Sequence, residues 1–458
     1  MRRSWRIAAA LLVLAAGAAR AQSLAPKNII VMFADGVAAT QWELGRYSSR
    51  VLLGRSFAAT DIVFKEGALG LLSTDSRNAF VTDSAAAASA MSTGVKVDNF
   101  VVSMTPDGKA PRTVMEAAKA AGKKIGLVTT AEIYDASPAA FSVHAKSRND
   151  SQSIVDQYLA MEPEVLLGGG RDYFLPKSAP GGKRSDGKDV VAAFTQKGYQ
   201  FARNVQELKS AKGPKLLGLF ADEDMAFEVD RDASREPSMA DMTRAALEVL
   251  SASSPNGFVL FVENENTDTA GHYNDAAGVM RALWAFDDAL KIALEFRAKA
   301  PEDTLVIVTG DHETGGLSAT YARRSASGDA RLYAGTPQIL MLEAITLSFG
   351  AAAKTLGRKP SPAAVEKLVA QYFPGFVLDA DVRDAIVNQT QLDRNFSYAT
   401  QNALGRMVAR QTGFYWGTAG HTTEPVAVGA IGPGAELFRG YQDNTEFARS
   451  LQRLIGAR

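Results

Sequence analysis

Seven short runs rich in valine, isoleucine and leucine recur along the chain, at Asn28–Ala34, Ile125–Thr130, Val165–Leu167, Leu216–Phe220, Phe258–Val262, Leu305–Thr309 and Val426–Ile431. Unbroken apolar runs of this length predict strands buried on both faces, since a strand with one solvated face alternates. Helix signatures lie between them. Thr113 with Glu116 makes a capping box, and Gly122 stops the alanine-rich stretch that follows. This alternation predicts an α/β fold, a three-layer αβα sandwich around a large, mainly parallel central sheet. The stretch from about 317 to 416 interrupts it with mixed helical and loop-like sequence, including Arg323, Arg324, Pro360, Pro362 and Pro374. We expect one domain over residues 22–458 with an inserted rim subdomain at 317–416, for which a purely structural role is an equal alternative.

Polar residues gather where the predicted strands finish. Asp35 follows the first run, Glu263 to His272 the fifth, and Asp311 with His312 the sixth. Open α/β sheets bind ligands at that carboxyl edge. Ser84 opens an alanine-rich stretch that predicts a helix, with Asp83 or Ser84 at its N-cap. Alone, such a serine is most simply a cap. Its company changes the reading: Glu263, Asp268 and His272 lie within ten residues, Asp311 adjoins His312, and His421 sits beside the last candidate strand. Two histidines and a carboxylate suit zinc with one position left open. An isolated Asp-His pair is usually an ordinary loop, but three such sets at strand ends point to a metal centre.

Composition narrows the class. The chain is 46% hydrophobic and 22% charged, a soluble globular balance, and its 50 basic and 50 acidic residues give no net charge. A nucleic-acid binder held by bulk electrostatics would be basic, so that class is excluded. At the start, Arg2, Arg3 and Arg6 precede the apolar run Ile7–Ala19, and Ala19-Arg20-Ala21 has the small-x-small form of a cleavage site. Residues 1–21 therefore read as a secretory signal, too short for a membrane span, and the mature chain is expected to be exported, periplasmic or secreted, with no span. Without the four arginines of that segment, 46 basic residues face 50 acidic ones. Cysteine is absent, which excludes disulfides, thiolate nucleophiles and sulfur-held zinc. Any metal must be held by aspartate, glutamate and the four histidines, His144, His272, His312 and His421. His144, between Val143 and Ala145, reads as a packed structural residue.

Six motifs together resemble the alkaline phosphatase family: MFADG at Asp35, VTDSAAAASAMSTG around Ser84, YDASPAAFSVHAKSR from Tyr134 to Arg148, ENENTDTAGH from Glu263 to His272, VTGDHETGG around Asp311, and AGHTTEPV around His421. The resemblance runs from Asn28 to about Phe438 and is poorest over 317–416. It implies hydrolysis of small-molecule phosphate monoesters to an alcohol and inorganic phosphate through a phosphoserine on Ser84, with two zinc ions and one magnesium ion. It assigns one zinc to Asp268, His272 and His421, and the other to Asp35, Asp311 and His312 with Ser84 reaching it. Magnesium falls to Asp35, Ser137 and Glu263. Arg148 is implied to grip two phosphate oxygens, and Asp135 to orient it and the water around the third metal. Homodimerisation is implied too. Charge counting agrees with this metal set: Asp35, Glu263, Asp268 and Asp311 against three divalent ions leave two positive charges, which a phosphate dianion neutralises.

The chain departs from the family's pattern at Thr269, where relatives carry lysine or histidine, and at Ser137, where threonine is more usual. The first departure predicts weaker phosphate retention; the second keeps the hydroxyl. Among rivals of the same fold, a sulfatase would need proline and arginine two and four positions after the nucleophile, where Ala86 and Ala88 stand. A phosphodiesterase would more usually carry threonine and lack the arginine contact. An α/β serine hydrolase would need a nucleophile elbow, and Ala90-Met-Ser-Thr-Gly94 lacks its first glycine and lies in helix-like sequence. A non-catalytic exported metal- or phosphate-binding protein would have no use for Ser84.

Overall fold

The computed structural model describes residues 25–252, 254–322 and 332–456; the signal at 1–21 lies outside them. Ten strands form the central sheet: β1 Asn28–Ala34, β2 Ala68–Leu72, β3 Lys124–Glu132, β4 Val165–Gly169, β5 Gln200–Ala202, β6 Leu216–Leu219, β7 Phe258–Asn264, β8 Thr304–Thr309, β9 Val426–Ile431 and β10 Gly440–Gln442. Their spatial order is β10-β2-β9-β8-β1-β7-β3-β4-β6-β5. All neighbours pair in parallel except β9, which runs antiparallel to both β8 and β2. All seven predicted runs are in this sheet, in its middle and on one flank.

Side-chain alternation makes the sandwich. Ile29, Val31, Phe33, Val259, Phe261, Leu305 and Ile307 enter one apolar layer, while Ile30, Met32, Leu260, Val262, Val306 and Val308 enter the other. The first layer is closed by helices Ser84–Thr93, Ala136–Ser142 and Asn444–Ile455; Phe141 packs its ring 4.4 Å from Phe261 and 5.8 Å from Phe33. The second is closed by the long helix Ala276–Lys299 and helix Met239–Ser251. The predicted capping box forms at Thr113 and Glu116, ahead of helix Val114–Ala120. Ser92, the serine of the elbow-like string, is fully buried inside helix Ser84–Thr93, so it is no exposed nucleophile.

Two features place the site. Strands β1, β7 and β8 lie side by side, so Asp35, the segment from Glu263 and the Asp311-His312 pair leave one edge together. Because β9 runs the other way, its amino-terminal approach reaches that same edge and brings His421 there, where the short pair His421↔Thr314 joins it to the segment after β8. The chain leaves this edge through Leu317–Ala319 and returns through Phe414–Trp416; the two segments pair antiparallel, with Leu317 opposite Trp416.

Candidate active site

Ser84 stands at the first turn of a helix whose ten residues are all buried. Asp83 is its N-cap, accepting from the Ala86 N–H at 3.0 Å and from the Phe100 N–H at 3.1 Å. The small side chains of Ala85 to Ala88 let the helix pack closely in the layer over one face of the sheet, and its amino end faces the cleft. Ser84 Oγ lies 3.1 Å from His312 Nε2. Arg148 reaches over from the segment after helix Ala136–Ser142, donating to Asp135 Oδ1 at 2.9 Å and Asp83 Oδ2 at 3.4 Å. These two carboxylates outweigh the cost of its burial and raise its pKa further, so it is a fixed cation. A cavity of about 480 Å³ is lined by Asp35, Ser84, Arg148, Asp268, Thr269 and His421, among others.

Two ligand-like groups flank it. Asp268, His272 and His421 present atoms within 4.8 Å of one another, and so do Asp35, Asp311 and His312. In the first group, His272 Nδ1 donates to the Ala419 carbonyl at 2.6 Å and His421 Nδ1 to the Thr82 carbonyl at 2.9 Å. A carbonyl only accepts, so both Nδ1 atoms carry hydrogen and the two Nε2 atoms, 3.1 Å apart, are left for a proton or a cation. Asp268 Oδ2 lies 3.0 Å from His272 Nε2, so without a metal ion that nitrogen takes the proton, and a bound cation would replace it. In the second group, His312 Nε2 lies 3.2 Å from Asp311 Oδ2 and 3.6 Å from Asp35 Oδ1. Both of those oxygens are buried without a hydrogen-bond donor, as is Glu263 Oε1. Ser137 Oγ donates to Asp35 Oδ2 at 3.3 Å and also adjoins Glu263, whose charge acts on Asp35, so these three residues are neighbours; Thr129 Oγ1 steadies Glu263 Oε2 at 2.6 Å.

The electrostatics agree. Burial first, then repulsion from Asp311, Asp268 and Glu263, pushes Asp35 well above the carboxylate range. Burial first, with Asp135 and Asp268 respectively adding to it, brings Glu263 and Asp311 to about 8. Burial acts on Asp268 the same way but is overridden by His272, His421 and His312, which hold it low; Asp268 in turn lifts His272 to about 9 against its own burial. Stripped of ions, the site is poised between proton uptake and repulsion, and the donor set fits divalent cations.

The family model for alkaline phosphatase matches residues 26–456. The chain belongs to the alkaline phosphatase family. It is 34% identical over 438 residues to alkaline phosphatase 4 of Bacillus subtilis, covering 94% of this chain and 88% of that one. Its fold is similar to the crystal structure of Thermus thermophilus alkaline phosphatase, with TM-score 0.85, 32% identity and coverage of 94% and 92%. It is also similar to the cold-active alkaline phosphatase of a psychrophilic Shewanella, with TM-score 0.75, 30% identity and coverage of 93% and 99%. Family membership makes the chain a phosphoric monoester hydrolase acting on small phosphate esters, and metal ions belong to that chemistry.

All twelve residues singled out from sequence meet at this edge. Ser84, Arg148 and Asp135 line the cavity, Thr269 joins them, and the eight residues expected to hold metal make up the two ligand-like groups and the neighbouring Ser137 and Glu263. His144 stands apart as the sequence suggests, held between the Ser103 carbonyl at 2.7 Å and Glu116 at 3.2 Å. Three members escaped the sequence. Asp83 is visible there only as a cap, because its partner Arg148 is 65 residues away. Thr314 donates to Asp268 Oδ1. Glu265, nearly buried, takes a 2.5 Å hydrogen bond from Thr269 and leaves its second oxygen unpaired beside the cleft.

Proposed function

We propose that the chain is an exported alkaline phosphatase in which Ser84 is phosphorylated and then dephosphorylated in each cycle. The carrying observation is the convergence of Ser84, Arg148 and two acceptor-rich ligand groups on one cavity. Asp268, His272 and His421 would hold one zinc ion, Asp35, Asp311 and His312 a second, and Asp35, Ser137 and Glu263 a magnesium ion. Ions bound there supply Lewis acidity for serine, water and the departing alkoxide. Arg148 grips two phosphate oxygens with its planar guanidinium, pre-set by Asp135 and Asp83. Ser84, backed by the amino end of its helix, attacks phosphorus in line as the P–O bond to the alcohol breaks. The alkoxide leaves and takes up the equivalent of the proton that Ser84 Oγ gives up. Water then attacks the phosphoserine from the vacated side as the P–O bond to Ser84 breaks; one water proton returns to Ser84 Oγ and the other leaves on hydrogen phosphate, with overall retention at phosphorus. The signal-like start of the sequence supports export, and among the described residues no helix is long and apolar enough to cross a membrane. Residues 317–416 would be the family's variable insertion, and a homodimer its working form.

The test compares p-nitrophenyl phosphate with bis(p-nitrophenyl) phosphate at alkaline pH, before and after chelation and after return of zinc and magnesium. We expect the monoester to be strongly preferred, with activity lost to the chelator and regained with metal. Preference for the diester, or turnover untouched by chelation, contradicts the proposal.

A further inference from the structure

His272 is held from outside the central sheet. Its backbone carbonyl accepts from Asn402 Nδ2 at 2.9 Å, and Asn402 lies on helix Ala399–Thr412, inside the segment that leaves at Leu317 and returns at Trp416. Asn402 is 1% exposed, and its amide is fixed at both ends: Oδ1 accepts from the Tyr398 N–H at 2.9 Å, and Nδ2 donates also to Asn274 Oδ1 at 2.7 Å. Asn274 is equally buried, has a left-handed backbone (φ 57°), and passes the linkage on by donating to the Gly271 carbonyl at 3.1 Å and the Thr418 carbonyl at 2.8 Å. Ala419 follows, and its carbonyl receives the His272 Nδ1 hydrogen while its N–H bonds the Asn395 carbonyl at 2.9 Å. The ring of Tyr398 meets that of His272 edge-on at 6.3 Å. Close approach is built in, for a Cβ on Gly405 would sit 2.7 Å from Asn274 Cβ.

We propose that Asn402 is a positioning residue for the group Asp268, His272 and His421, acting through Asn274 from the inserted segment. The inference rests on the metal-ion reading given above. Asn402 touches neither the cleft nor a ligand atom. It fixes the carbonyl of His272 and, through Asn274 and Thr418, the Ala419 carbonyl that sets which ring nitrogen of His272 is bare. An imidazole whose orientation and tautomer are fixed in this way binds a metal ion more tightly, by about 10–100-fold for partners of this kind.

The experiment is a chelator titration of the zinc-loaded protein, following zinc release from wild type, Asn402→Asp, Asn402→Ala and Met407→Ala. The Asn402→Asp change keeps the side chain's shape but loses both donated hydrogen bonds. Met407→Ala removes core volume from the same helix without removing such a bond. The phase belonging to the Asp268, His272, His421 group is assigned by its absence from His421→Ala. We expect that phase alone to shift about 10–100-fold toward release in both Asn402 variants and to stay in place in Met407→Ala. Unchanged release from the Asn402 variants overturns the proposal, and so does an equal shift in Met407→Ala, which would mark general loosening. A wild-type protein with no such phase overturns the metal reading itself, and the titration separates that result from a failure of Asn402.

Discussion

Ser84 is unusual among cap-proximal serines because everything around it removes alternatives: its helix is buried, Asp83 takes the capping role, and His312 is its hydrogen-bond partner. Ser84→Ala should lower kcat by more than about 1000-fold with little effect on stability, measured by p-nitrophenol release and thermal melting. Asp83 carries two duties, cap and arginine partner. Asp83→Asn keeps an acceptor for the cap but weakens the hold on Arg148, so we expect KM and the phosphate inhibition constant to rise several-fold while kcat falls less. Thr269 raises a different point. With Glu265 hydrogen-bonded to it, a lysine at 269 would meet a carboxylate as well as phosphate. Thr269→Lys should therefore tighten phosphate inhibition and slow turnover, more so when combined with Glu265→Gln; unchanged inhibition and turnover in both variants count against the idea.

The same carboxylates fix how the metal-free protein answers to pH. Asp35, Glu263 and Asp311 all have raised values in the folded state, two of them about 8, against about 4 when unfolded. A raised acid stabilises the fold only while protonated. Its contribution is present below about pH 4 and is lost as pH climbs toward 8, and His272, raised to about 9, adds a loss in the same direction above its unfolded value of about 6.5. His312 and His421, held low by burial, gain stability as pH rises to about 6.5 and offset part of this loss. Melting temperature after chelation should therefore fall most clearly between about pH 6.5 and 8, and zinc with magnesium should flatten the decline. A chelated protein that grows more stable across that interval contradicts this assignment.

At the scale of elements, β1, β7 and β8 were legible because burial on both faces leaves an unbroken apolar run. Strand β2 was not, since its five residues include Gly70 and no β-branched residue, and its outward positions Leu69 and Leu71 are apolar, so no alternation marks it; β5 and β10 are only three residues each. The reversed direction of β9 has no local signature, yet it alone explains how His421 joins ligands that follow parallel strands. Motif spacing revealed the ligand types, while the carbonyls that orient them, Thr82 and Ala419, are contributions of backbone position that residue identity does not encode. The turn after β1 gives a sharp test. Gly36 has φ +72°, and a Cβ there would lie 2.7 Å from Asp268 Oδ1 and 2.8 Å from Thr314 Oγ1. Gly36→Ala should thus displace Asp268, weakening zinc retention at least about 10-fold in a chelator titration and lowering the melting temperature.

Across the whole molecule, the two faces of one sheet are closed by apolar layers while its carboxyl edge gathers like charges that only ions reconcile. No cysteine is available to offset the cost. Each ion present at about 1000 times its dissociation constant adds about 4 kcal/mol, so calorimetry should show a melting temperature that rises with free zinc and drops on chelation. The central claim is the covalent step. Acid quenching during turnover of a phosphate monoester, followed by peptide mass spectrometry, should find phosphate on the peptide containing Ser84 and none in Ser84→Ala. Phosphate on another residue, or full turnover with no phosphopeptide at any quench time, would contradict the account.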